Sequence, residues 1–135
     1  MSAQKEEALR VSEAYGRIEF MPHFARVVDV IKARGAKVTT QLHHAGAMAC
    51  VAQPMGPSRL STREFFVTKP EEFSTEEVEQ LVDKFADAAV RAKACGVDMV
   101  EIHGAHGYLV CQFISPPTNH KHYRKLIPIL DWFRK

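Results

Sequence analysis

Cysteine is scarce in this chain. Cys50, Cys95 and Cys111 are three, an odd number, widely separated and never arranged as Cys-x-x-Cys. That pattern argues against a disulfide framework or a cysteine-based zinc site and leaves reduced thiols as the expectation. Long apolar runs are missing too: none approaches the ~18 residues that a bilayer span requires, and the first fifteen residues, MSAQKEEALRVSEAY, lack the apolar centre of a signal peptide. A cytoplasmic protein with no membrane partner is therefore expected. Charge of one sign is also lacking. The 18 Lys and Arg stand against 16 Asp and Glu, and the only dense cluster is the short KHYRK near the C-terminus. Nothing here would recruit nucleic acid or an anionic lipid surface.

What is present is the composition of an ordinary globular protein, 135 residues with 46% apolar and 25% charged side chains, enough for one core. Residues 1–19 are polar, with only Ala8, Leu9 and Val11 at helical spacing, and read as a frayed or partner-dependent segment. From Met21 the signals sharpen. Pro22 suits a first helical turn, Phe24, Val27, Val28 and Ile31 share a face, and Gly35 stands where a helix stops. AKVTTQL (36–42) reads as a strand that ends in HHAGAMA. Residues 47–73 have no clear period and carry Pro54, Gly56, Pro57 and Pro70; a connection of that length is more often functional than incidental. The segment STEE (74–77) is a capping box, Ser74 and Glu77 bonding each other's backbone. The helix it opens lines up Val78, Leu81, Val82, Phe85, Ala89 and Ala92 and runs to Gly96. VDMVEIH (97–103) is a second strand, and YLVCQFI begins a helical turn that ends before Pro116 and Pro117. LIPILDWF (126–133) is an apolar stretch that needs cover.

Strand, crossover helix, strand implies a parallel, right-handed βαβ unit. In such units ligands gather at the carboxyl ends of the strands, and both histidine-rich turns lie there. His103 and His106, three apart on a turn that begins to coil, point the same way; their N–H groups could converge on one oxygen and stabilise charge developing on it. Tyr108 is a weak acid suited to protonating a carbanion-like carbon. This trio suits addition across a double bond conjugated to a carbonyl. Two other readings compete with it: a tight turn whose imidazoles bond the backbone, and a metal clamp completed by His43 or His44, although no established zinc motif is present. Gln41, at the other strand end, can donate and accept at once, as recognition of a planar heterocycle's edge requires; read alone, it is rather a hydrogen-bonded strand-end residue than a cofactor contact. His43 and His44 alternate in direction, so at most one faces the site.

Taken together, the two strand-end motifs resemble those of the old yellow enzyme family of FMN-dependent ene-reductases, in its NADH:flavin oxidoreductase and 2,4-dienoyl-CoA reductase branches. QLHHAG is similar to the signature Gln-Leu-x-His-Ala-Gly of the third barrel strand, and VDMVEIHGAHGYLVCQFISPPTN to that of the fourth. The resemblance covers roughly residues 20–119, including GPS and the capped helix. It implies an α/β fold, a partial TIM (β/α)8 barrel with units corresponding to about strands three and four, and a divergent tail at 120–135. It further implies FMN, reduced by NADH or NADPH, with Gln41 on the flavin's pyrimidine edge. His103 and His106 would hold the acceptor oxygen of a small activated alkene, and Tyr108 would donate the proton. The sequence departs from the family at Ala47, where arginine is common, and after Asn119, where HKHYRKLIPILDWFRK replaces the usual Tyr-Gly-Gly-Ser continuation. The cluster-ligating cysteines of the dienoyl-CoA reductase branch are absent as well. A closed barrel takes about 200 residues or more. The alternative expectation is a non-catalytic remnant without stable FMN binding, whose exposed barrel edges favour self-association.

Overall fold

The computed structural model describes residues 18–59 and 68–120. The polar segment 1–17 and the apolar stretch 126–133 lie outside the described residues. A 3-10 turn, Ile18–Phe20, leads into helix α1, Met21–Lys32, with Pro22 in its first turn and Gly35 at φ +80° after its end. The apolar face expected for α1 is only partly used. Val28 is buried and Phe24 half-buried, whereas Val27 and Ile31 are exposed.

Strand β1, Thr39–Leu42, ends in a 3-10 turn at Gly46–Met48. Strand β4, Met99–Ile102, pairs with β1 in parallel, Thr39 opposite Met99 and Gln41 opposite Glu101. Between them runs helix α2, Thr75–Ala94, opened by the capping box: Ser74 Oγ accepts from Glu77 N at 3.1 Å, and Glu77 Oε2 accepts from Ser74 N at 2.8 Å. Gly96, at φ +86°, reverses the chain after α2. Helix α3, Leu109–Ile114, follows β4 and stops before the two prolines.

One core joins these elements. Leu42 from β1 meets Val78, Leu81, Phe85 and Ala88 from α2 and Leu109 and Phe113 from α3. A smaller cluster of Val28, Ala92 and Val97 packs the other end, and Phe24 touches both. On α2 the predicted Val78, Leu81, Phe85 and Ala92 are buried; Val82 and Ala89 are half-buried, and Ala88 completes the face instead.

The connection after β1 is more ordered than its composition suggests. Strand β2, Met55–Gly56, pairs in parallel with strand β3, Glu71–Glu72, and Phe73 just after it enters the core. Pro54, Pro57 and Pro70 are fully buried rather than exposed. Two-residue strands carry no detectable alternation, and their pairing bridges sixteen residues, which is why the sequence reads as a loop. His120, at the start of the divergent tail, is tied back by its N–H to Ser58 Oγ at 2.9 Å. Among the described residues no helix is long and apolar enough to cross a membrane.

The amino end of the sheet is held by Asp98. Its Oδ2 accepts from Val38 N at 3.0 Å, and its Oδ1 lies 3.0 Å from Lys37 Nζ and 3.4 Å from Lys32 Nζ. The Val38 amide, and then the two lysines, pull the carboxyl down from 3.8 to about 2. Because the folded state favours the ionised form, this stabilisation is complete above pH ~4 and is lost as pH falls through about 2. Asp98→Asn should therefore lower the melting temperature at pH 7 and flatten its decline between pH 4 and 2; an unchanged acid decline would show that other carboxylates carry it. Ser74→Ala should cost about 1 kcal/mol in denaturant unfolding, the usual value of an N-cap.

Candidate active site

In-register pairing places the turns after β1 and β4 side by side. The ladder continues past the strands: His103 N donates to Leu42 O at 2.9 Å, and Leu109 N donates to His44 O at 3.0 Å. Residues opposite one another in a parallel pair send their side chains to the same face. Gln41 and His43 from one strand end therefore share a face with Glu101 and His103 from the other. This is the face away from α2, since Thr40 and Leu42 are the buried residues of β1.

Four rings gather on that face. His43 and His103 have centroids 5.5 Å apart, and Tyr108 stands edge-on to His43 at 4.2 Å and 5.1 Å from His103. His106 lies 5.1 Å from His103, with its Nδ1 3.4 Å from His103 Nε2. The predicted trio is thus brought together, but not by a helical turn. His106 adopts φ +57° and Gly107 φ +76°, a left-handed pair that swings the His106 ring back toward the strand end. Left-handed non-glycine residues are uncommon, and histidine is among the side chains that tolerate the region best. Such strain clusters where a site demands a particular side-chain direction.

Of the two adjacent histidines only His43 faces the site. Burial, and second the neighbouring His103, hold its imidazole below the ordinary value, which favours the neutral ring. His44 turns into the core, its Nδ1 accepting from Gly46 N at 2.9 Å and its ring edge-on to Phe73. Gln41 is exposed, and its Nε2 donates to Glu101 Oε1 at 2.6 Å. Among the described residues no group of three or more metal-ligating side chains is arranged around a common point.

Sequence reasoning missed two participants. Along the chain Glu101 is only one residue of a strand; its opposition to Gln41 follows from the register. Gln112 was absorbed into an apolar run, although a lone amide among core residues must find partners when buried. It is 1% exposed and bonds both turns.

The model of the NADH:flavin oxidoreductase / NADH oxidase family matches residues 14–124. The chain belongs to that family. It is 41% identical over 108 residues to an NADH oxidase of Thermoanaerobacter brockii, covering 76% of this chain and 16% of the relative. It is 41% identical over 104 residues to an NADPH dehydrogenase of Bacillus subtilis (strain 168), covering 76% and 30%. The chain therefore spans less than a third of the length of these curated relatives. It superposes on morphinone reductase, solved in complex with tetrahydroNAD, with a TM-score of 0.76 and 25% identity over 87% of this chain and 40% of that one. That neighbour is a TIM-barrel member of the old yellow enzyme group, so this family member has the fold of part of such a barrel.

The donor set also fits a flavin. Gln41 carries a donor and an acceptor on one exposed planar amide, the chemistry that a flavin pyrimidine edge calls for, on the same sheet face as the ring cluster.

Because glycine enters the left-handed region without a steric cost, His106→Gly should leave unfolding free energy within about 1 kcal/mol of the parent while deleting the imidazole. A much larger loss in denaturant unfolding would mean that the His103 contact, rather than the backbone, holds this turn.

Proposed function

We propose that this chain carries the acceptor-binding and proton-donating part of an FMN-dependent NAD(P)H oxidoreductase site acting on a small activated alkene, with β1 and β4 as the third and fourth strands of the barrel. The observation that carries this reading is the convergence of His103 Nε2 and His106 Nδ1, 3.4 Å apart, beside the Tyr108 ring. In this reading FMN, when bound, supplies hydride transfer from NADH or NADPH to the alkene. Gln41 would hold the pyrimidine edge, its amide steadied by Glu101.

The two imidazoles do the polarising. Facing nitrogens at 3.4 Å leave room for one oxygen within hydrogen-bonding reach of both. Once the ring that accepts in the His103–His106 contact changes tautomer on binding, the pair presents two N–H donors to a carbonyl oxygen and stabilises negative charge as it grows there. At His43, burial and then His103 lower the pKa, which favours the neutral ring beside the acceptor oxygen. Tyr108 then delivers its phenolic proton to the carbon next to the carbonyl and recovers it from solvent.

A second reading, for the 135 residues alone, is a non-catalytic remnant that associates through its sheet. It is favoured by the site face of β4: Met99 is 61% exposed, and Val100 on the opposite face is 38% exposed, where parallel strands of a barrel are ordinarily covered on both sides. Titration of the purified chain with FMN separates the two. A perturbed visible flavin band that NAD(P)H bleaches supports the oxidoreductase. A free-flavin spectrum together with concentration-dependent oligomers in sedimentation supports the remnant.

Where activity is present, Tyr108→Phe should slow alkene reduction by roughly 10²–10⁴-fold in stopped-flow traces while leaving flavin reduction by NAD(P)H nearly untouched. His103→Ala should cost on the order of 10²–10³-fold in the same half-reaction. Equal losses in both half-reactions would remove the assigned roles.

A further inference from the structure

Gln112 is the one polar side chain buried in α3. Its Oε1 accepts from Ala47 N at 3.0 Å; its Nε2 donates to Ala45 O at 3.2 Å and to Gly107 O at 2.6 Å. Ala45 and Ala47 belong to the turn that follows His43 and His44. Gly107 stands between His106 and Tyr108. One amide therefore spans both turns of the candidate site, using its acceptor oxygen and both N–H groups, all on backbone atoms.

The packing leaves the amide little freedom. A Cβ on Gly46, which lies at φ +61°, would come within 2.3 Å of Gln112 Oε1. Glycine there serves both the left-handed backbone and the close approach of the amide. From the other side Gly56, in β2, sits where a Cβ would meet Ala47 Cβ at 3.1 Å. The turn carrying Ala45 to Ala47 is thus clamped between β2 and the Gln112 amide. The backbone bonds between the strand ends, His103 N to Leu42 O and Leu109 N to His44 O, set the level of the two turns, but neither involves Gly107 or the Ala45–Ala47 turn.

We infer that Gln112 is a positioning residue: by bonding Gly107 O together with Ala45 O and Ala47 N, it sets the spacing of His106 and Tyr108 against His43 and His103. The consequence for catalysis rests on the oxidoreductase reading above; the geometric role does not. Loss of the amide frees Gly107 from the other turn. The left-handed pair at His106 and Gly107 can then relax, since this cross-turn bond opposes a strained backbone. The visible result is loss of the His103–His106 contact, in which one ring must donate and the other accept.

The test is imidazole 15N NMR on the full chain without flavin. In the parent, His103 and His106 should each show one fixed tautomer, complementary to the other. Gln112→Met, which keeps the volume and removes all three bonds, should turn both into tautomer mixtures. Val28→Ala, in the separate core cluster, serves as a purely destabilising control and should lower the melting temperature without altering either ring. Fixed tautomers retained in Gln112→Met, or lost equally in Val28→Ala, would overturn the inference. If Gln112→Met does not fold, Gln112→Asn, an amide too short to reach both turns, takes its place. Asn with unaltered rings, or an Asn variant that is also unfolded, assigns Gln112 to fold stability alone and rejects the positioning role. A separate FMN titration of the same variants keeps the outcome distinct from any failure of the oxidoreductase reading: tautomer loss without flavin binding in the parent would sustain the first and remove the second.

Discussion

The parallel pairing of β1 with β4 is the constraint on which the rest depends. Side chains alternate with a period of two, so a slip of one residue would turn His103 and Glu101 toward α2 and bring Ile102 onto the site face. The observed register, Gln41 against Glu101 and Leu42 against Ile102, holds because Leu42 must reach the core formed by α2 and α3. Asp98 fixes the same register from the amino end through Val38 N. Hydrophobic burial on one side of the sheet thereby specifies the chemistry on the other.

The two ends of the strands are built differently. At the amino end, a carboxylate, two lysines and a backbone amide make an ionic tie with no apparent role beyond stability. At the carboxyl end, four rings are held at close range on turns with three left-handed residues: Gly46, His106 and Gly107. The one non-glycine residue among them, His106, lies beside Gly107, whose carbonyl accepts from Gln112 Nε2. That division, a stable base and a shaped upper rim, is the usual arrangement of an α/β barrel repeat. It accords with the membership of this chain in the NADH:flavin oxidoreductase / NADH oxidase family.

Family and geometry contribute separate parts of the functional argument. The family match covers most of the chain and identifies the lineage. The geometry accounts for why these side chains suit polarisation and protonation of an acceptor: two facing imidazole nitrogens, a phenol beside them and a third imidazole whose pKa burial lowers. Of the two histidines that could complete a metal clamp, His44 is turned into the core, and His43 stands edge-on to Tyr108. The tight-turn reading is partly correct, because the turn is tight; its imidazoles, however, contact each other rather than capping the backbone.

By itself the sequence determined the elements with strong local signals and the candidates for the site. The capping box, the apolar face of α2, the glycine stops at Gly35 and Gly96, and the βαβ order all depend on neighbouring residues, so they can be read along the chain. His103, His106 and Tyr108 could be chosen because topology puts strand ends together, and Gln41 because its motif resembles the family's. Only the tertiary structure decided how they meet. The left-handed turn at His106, the choice of His43 over His44, the pairing of β2 with β3 and the span of Gln112 across two turns all join residues far apart in sequence or depend on a backbone conformation that histidine seldom adopts. No local pattern encodes such contacts; they exist because the core, once packed, leaves each of these groups one place where its hydrogen bonds can be made.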